Sequence, residues 1–113
     1  MDITASDAHG VLVAALTGRL DLTSAPAAEA ALLGMVAKRQ PVLIDLSGLA
    51  YASSAGLRVL LKAAREAKQT GHGLALCNAQ GPVKEVLEIS GFPSMIPLHA
   101  TRDEALAALR GQG

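Results

Sequence analysis

Tryptophan is absent from this sequence, and tyrosine and phenylalanine occur once each among 113 residues. Half the residues are nonetheless hydrophobic, so any core must be aliphatic, built from Leu, Val, Ile, Met and Ala. Cysteine occurs only at Cys77, which excludes an intramolecular disulfide and a thiolate metal cluster. Its setting, Leu74-Ala75-Leu76-Cys77, reads as the end of a buried strand and makes Cys77 a small core residue rather than a nucleophile. Net charge is missing too, since ten basic residues balance ten acidic ones. A nucleic-acid binder needs a basic surface to neutralise phosphates, and an anionic membrane attracts a polybasic one, so neither partner is expected. The apolar runs, such as Val11 to Leu16, fall far short of the roughly 20 residues of a membrane span. Met1-Asp2-Ile3-Thr4 lacks a basic stretch leading into a long apolar one, so no signal peptide is expected. These absences suit a cytoplasmic protein of a reducing compartment without membrane insertion. The length suits one domain over residues 1–113.

What is present alternates between strand and helix signals. Ile3 to Ala5 and Val11 to Leu16 read as extended segments joined by a turn at His9-Gly10, with Gly18-Arg19-Leu20-Asp21 closing the region. Thr23 or Ser24 is placed to cap a helix with Pro26 in its first turn, running to about Arg39 with Leu32, Leu33 and Val36 on its apolar side. Val42-Leu43-Ile44-Asp45-Leu46 is a continuous aliphatic run of the kind buried on both faces of a sheet. A second helix is expected from Ser54, with Leu57, Leu60, Leu61 and Ala64 inward, stopped at Gly71 and Gly73. Leu74 to Cys77 is the next strand, and Pro82 opens a third helix with Val83, Val86 and Leu87 inward and Gly91 at its end. Ser94 to Leu98 reads as a short last strand. Thr101-Arg102-Asp103-Glu104 forms a capping box before a helix carrying Leu106 and Leu109. The order predicts an α/β fold with a mixed, mostly parallel β-sheet and about four helices packed against it.

The informative stretch is Val42 to Leu61, VLIDLSGLAYASSAGLRVLL. A buried strand ends in a polar turn that delivers two serines to the start of an amphipathic helix. The first N–H groups of that helix lack intrahelical acceptors and carry the positive end of its dipole, so negative charge added at Ser54 is tolerated there. Gly56, without a side chain, permits close approach by another surface. An anion site, a phosphorylation site and a contact surface all fit these features. On local evidence alone the simpler reading is that Ser53 or Ser54 merely caps the helix.

The same residues resemble the signature of STAS domains, the family of anti-sigma factor antagonists and of the cytoplasmic tails of sulfate transporters. In that pattern a strand reading hydrophobic-D-L-S-G is followed by D-S-S-G-L and an aliphatic helix. Asp45-Leu46-Ser47-Gly48-Leu49 is similar to the first part, and Gly56-Leu57 anchors the second. Leu16-Thr17-Gly18-Arg19-Leu20-Asp21 resembles the family's early L-x-G-x-L-D, and Ile89-Ser90-Gly91-Phe92 its third helix exit. The acid that precedes the phosphorylated serine in the pattern is Ser53 here, and the serine that follows is Ala55. The resemblance implies a single STAS domain phosphorylated at Ser54, with a partner surface of Asp21, Ser53, Ser54, Ala55, Gly56, Leu57 and Arg58. It further implies a serine-kinase anti-sigma factor using ATP and Mg²⁺ as partner, a metal-dependent PP2C-type phosphatase that reverses the mark, and no cofactor of the chain's own.

Two rival functions stand beside this reading. An enzyme finds little support: His9, His72 and His99 lie in or near separate loops, and Ala52-Ser53-Ser54-Ala55-Gly56 is not a Gly-x-Ser-x-Gly elbow. Gly71-His72-Gly73 lacks the spacing and lysine of a phosphate loop, and Asp45 beside a turn reads as a structural cap. The nearer rival is a stand-alone STAS subunit or scaffold of another complex, such as a lipid-transporting ABC system. Genomic neighbours separate it from a sigma regulator: a kinase and a sigma factor in one case, an ATPase and a permease in the other.

Overall fold

Side chains on the central strands alternate in direction, and here both directions lead to apolar cover. The computed structural model describes residues 1–111. Strand β1 (Asp2–Ala8) forms a hairpin with β2 (Val11–Leu20), and β2, β3 (Val42–Ala52), β4 (Leu74–Cys77) and β5 (Leu98–His99) then run parallel in the order β1-β2-β3-β4-β5. The expected mixed, mostly parallel sheet is therefore present, with four helices. Leu12, Ala14, Leu16, Ile44, Leu46 and Leu76 point to the face covered by α1 (Ala25–Val36), α2 (Ser54–Thr70) and α3 (Gly81–Ile89). Val11, Val13, Leu43, Ala75 and Cys77 point the other way, onto Ala105 and Leu109 of α4 (Arg102–Gly111). The continuous apolar run of β3 thus serves two cores at once.

Several boundaries differ from the sequence expectation, each for a local reason. Strand β3 does not stop at Leu46 but continues to Ala52, because β2 remains beside it through a bulged register to the pair Leu20–Ala52. Helix α1 ends at Val36 rather than Arg39, where Arg39 takes a φ of 58° ahead of the turn into Pro41. Ser24 makes no side-chain cap to that helix. The last strand is only Leu98–His99: Phe92–Ser94 forms a 3₁₀ turn instead, in a segment where Pro93 and Pro97 lack ladder donors. Helix α3 packs Val83 and Leu87 into the core and leaves Val86 half-buried. At α4 half of the capping box is seen, with Thr101 Oγ1 accepting from the Glu104 N–H at 3.2 Å.

Helix α2 carries the correction that bears on function. Its buried residues are Gly56, Val59, Leu60, Ala63 and Ala67, whereas Leu57, Leu61 and Ala64 are partly buried at the flank. The helix packs on α1 as well as on the sheet, so its apolar arc is wider than one stripe, and the deepest line lies one residue off the expected one. Gly71, at a φ of 82°, closes the helix in the left-handed conformation that glycine takes without strain. Leu60 is common to the expected and observed lines and is fully buried. Leu60→Ala is expected to cost roughly 2–5 kcal/mol in denaturant unfolding, and a loss below about 0.5 kcal/mol, the scale of a surface substitution, would contradict this packing.

Candidate functional site

The parallel pairing of β2 with β3 brings their C-terminal ends together, and the two following loops with them. Leu20 stands opposite Ala52, and the Leu20 carbonyl accepts the Ser53 N–H at 2.9 Å. Residue 53 has an extended backbone (φ −89°, ψ 176°), and its Oγ accepts the Gly56 N–H at 3.3 Å. Ser53 is therefore the N-cap, which resolves the ambiguity between the two serines. Ser54 is the first helical residue; it is exposed, and among the described residues no hydrogen bond engages its hydroxyl.

Its neighbours divide by depth. Arg58 is exposed, Ala55 and Leu57 are half-buried, and Gly56 is buried. A Cβ on residue 56 would lie 2.7 Å from both the Leu20 carbonyl oxygen and Leu20 Cγ. The close approach that glycine permits is thus made by the chain's own β2, not left open for another molecule, and this corrects the expectation for Gly56. Asp21 reaches the same end of the sheet, but its Oδ1 accepts the N–H groups of Thr23 at 3.0 Å and Ser24 at 3.2 Å. Ser24 Oγ in turn accepts the Asp21 N–H and donates to the Arg19 carbonyl. The Ser24 N–H, foremost among these contacts, holds the Asp21 carboxyl below the usual carboxylate range, so this aspartate shapes its loop.

Three surface residues join this end of the sheet without having been singled out in the sequence. Arg19 and Tyr51 are paired across β2 and β3, and the Arg19 guanidinium lies 4.3 Å from the Tyr51 ring centroid. Leu22, in the loop after β2, is 78% exposed. The register between β2 and β3, hidden from one-dimensional reading, is what assembles them. A cavity of about 590 Å³ lies elsewhere, lined by residues that include Gln80, Lys84, Glu88 and His99, and shares no residue with the Ser54 face. Among the described residues no three His, Cys, Asp or Glu side chains are placed to hold a metal ion, and no helix is long and apolar enough to cross a membrane.

Asp45, the acid of the signature strand, belongs to the second core face. It is buried, and its Oδ2 accepts from Arg102 Nη2 at 2.6 Å and Nε at 3.1 Å. Oδ1 accepts the Ser47 N–H at 2.9 Å and Asn78 Nδ2 at 3.3 Å. Burial alone would raise its pKa, but the Ser47 N–H and Arg102 outweigh it and hold the carboxyl below its ordinary value. Asp45 is thus structural, though not as a cap at a strand end beside a turn: it lies within β3 and joins that strand to the loop after β4 and the start of α4. Cys77 beside it is buried, and burial, then the Asp45 charge, push its thiol up to about 12. Such a thiol is inert at neutral pH.

Comparison with known proteins agrees with this architecture. The family model described as STAS domain matches residues 2–105. BtrV of Bordetella bronchiseptica, provisionally named an anti-sigma factor antagonist, is 40% identical over 97% of this chain and 96% of its own. The anti-sigma-F factor antagonist RsfB of Mycobacterium tuberculosis is 31% identical over 96% of this chain and 89% of its own. The crystal structure of an anti-sigma factor antagonist from Mycobacterium paratuberculosis superposes with a TM-score of 0.85 at 32% identity, covering 96% of this chain and 93% of that one.

The Asp45–Arg102 pair makes stability depend on acid. The folded-state pKa of Asp45 is depressed, so its contribution is fully present above the unfolded value of about 3.9 and is lost as pH falls through the folded value. Asp45→Asn is expected to start less stable at pH 7 and to lose less than the wild type between pH 5 and 2. Arg102→Ala is expected to cost roughly 2–4 kcal/mol at pH 7, less than for a dry pair because the Arg102 side chain is 43% exposed. Denaturant melts across that pH range decide the matter, and identical pH slopes for wild type and Asp45→Asn would count against it.

Proposed function

The chain belongs to the STAS domain family, and from that premise we propose that it is an anti-sigma factor antagonist switched by phosphorylation of Ser54. The carrying observation is the division of labour between the serines: Ser53 is occupied as the cap, and Ser54 offers an exposed hydroxyl at the helix start. The names of the relatives support the antagonist role. The partner is an anti-sigma factor that is also a serine kinase, and the domain acts in the cytoplasm by binding rather than by catalysis. The unmodified domain binds the kinase through the face that carries Ser54, Arg58, Leu22 and the Arg19–Tyr51 pair, and thereby frees a sigma factor.

Inactivation is a phosphoryl transfer. A bond forms between Ser54 Oγ and the γ-phosphorus of ATP as the bond from that phosphorus to the bridging oxygen breaks. ADP leaves, and the hydroxyl proton passes to a base of the kinase. A metal-dependent phosphatase of PP2C type hydrolyses the ester and restores the hydroxyl. The added group carries about −1.5 to −2 charges, which the α2 N-terminus tolerates within the domain. The cost falls on the interface, where a partner surface fitted to a neutral hydroxyl must desolvate or exclude a dianion.

Ser54→Ala is expected to bind the kinase and resist modification, and Ser54→Asp to stay folded and bind at least a hundredfold more weakly, about 2.7 kcal/mol. Ser53→Ala is expected to remain modifiable while losing about 1 kcal/mol of helix capping. Mapping the phosphate after treatment with the kinase and ATP tests the assignment. A phosphate on Ser53 would refute it, and no modification by any co-encoded kinase would favour the transporter-subunit or scaffold role.

A further inference from the structure

One cation on the Ser54 face lacks a counterion. Among the described residues Arg19 lies over Tyr51 with Asp21 3.9 Å away, and Lys62 pairs with Glu29 at 3.5 Å. Arg58 is exposed and makes neither an ion pair nor a hydrogen bond among those residues. Its position is electrostatically awkward, since it lies near the positive end of α2 and the first turn of that helix contains no acidic residue. It stands four residues after Ser54, and residues so spaced are stacked on one helix face with Cβ atoms about 5–6 Å apart. Helical side chains lean toward the N-terminus, so an arginine at 58 leans toward residue 54 and not away from it. Acid first and base four residues later is also the favourable order for a helical ion pair.

We infer that Arg58 is an intramolecular clamp for the phosphate on Ser54, so that modification draws a free cation off the partner face while adding a dianion to it. The inference rests on Ser54 being the phospho-acceptor. The guanidinium fork matches two phosphate oxygens at once, which a single ammonium cannot do. The acidic groups around the start of α2 do not compete for Arg58. Asp21 on the adjoining loop is occupied by the Thr23 and Ser24 N–H groups with Arg19 nearby, and Glu29 of α1 faces Lys62. The switch therefore changes the face in two ways: a cation that could meet an acidic partner group is neutralised in place, and the hydroxyl beneath it is replaced by a larger charged group.

The test places phosphoserine at position 54 during translation, in the wild type and in the Arg58→Ala and Arg58→Lys variants, and follows the phosphate by ³¹P NMR titration. The second ionisation of a phosphoserine normally lies near pH 6. Arg58→Ala is expected to raise it relative to the wild type by about half a unit at low salt, a threefold change in the ionisation constant, and Arg58→Lys to recover part of that shift. An arginine that merely supported the fold would alter the melting temperature and leave the titration unmoved. Superimposable titrations of wild type and Arg58→Ala, both folded by circular dichroism, would overturn the clamp. Because the phosphate is installed without a kinase, this result is separate from the phosphate-mapping experiment: a mark mapped to another residue removes the acceptor assignment and leaves the titration as measured.

Discussion

The first turn of α2 rests through Gly56 directly on Leu20 at the end of β2, on its carbonyl and its side chain alike, and the arrangement of the functional face follows from that contact. A Cβ on residue 56 would lie 2.7 Å from the Leu20 carbonyl oxygen, so glycine alone lets the helix sit this low. The same carbonyl accepts the Ser53 N–H, and Leu20 is in register with Ala52. Three constraints thus meet at one residue: the strand ladder, the entry to the helix and the packing of its first turn. With them satisfied, residue 54 faces outward, and the loop carrying Asp21 and Leu22 runs alongside.

The polar groups around that seat are mostly engaged. Asp21 accepts two N–H groups of its own loop, and Ser53 caps α2. Asp45 lies on the opposite side of the sheet and ties Asn78 and Arg102 to β3. A buried pair of this type is weak evidence for net stability, since desolvation offsets much of its attraction. What it does accomplish is geometric: it pins the start of α4 against the second core face, across 57 positions of sequence. Among these engaged groups the hydroxyl of Ser54 is exposed at the helix start, with the exposed Arg58 one turn further along α2.

The departure from the family pattern at residue 53 has a specific structural meaning. Serine and aspartate are both good N-caps because each places an oxygen where the N–H of the third helical residue can reach it. Ser53 performs that task through its Oγ. Replacing the acid with serine therefore keeps the helix start while removing a negative charge adjacent to Ser54. A phosphate there would meet less repulsion from its own chain than beside a carboxylate, which makes the Arg58 guanidinium the principal charge it encounters on α2.

The sequence by itself determined the fold class, the family resemblance and most element positions, because these rest on local rules: alternating or continuous apolar runs, prolines in first turns, glycines after helices. Leu74–Cys77 was legible to the residue, as was the start of α2 at Ser54. Its inward line was displaced by one position, because the apolar arc of a helix packed on two neighbours does not reveal which part lies deepest. Only the tertiary structure decided which serine caps and which is free, since two adjacent serines satisfy the same local preference. It alone showed that Gly56 meets Leu20, that Arg102 meets Asp45, and that Arg19, Leu22 and Tyr51 share an end of the sheet with Ser54. Those facts depend on the register between strands and on contacts between residues far apart in the chain, and no local periodicity encodes either.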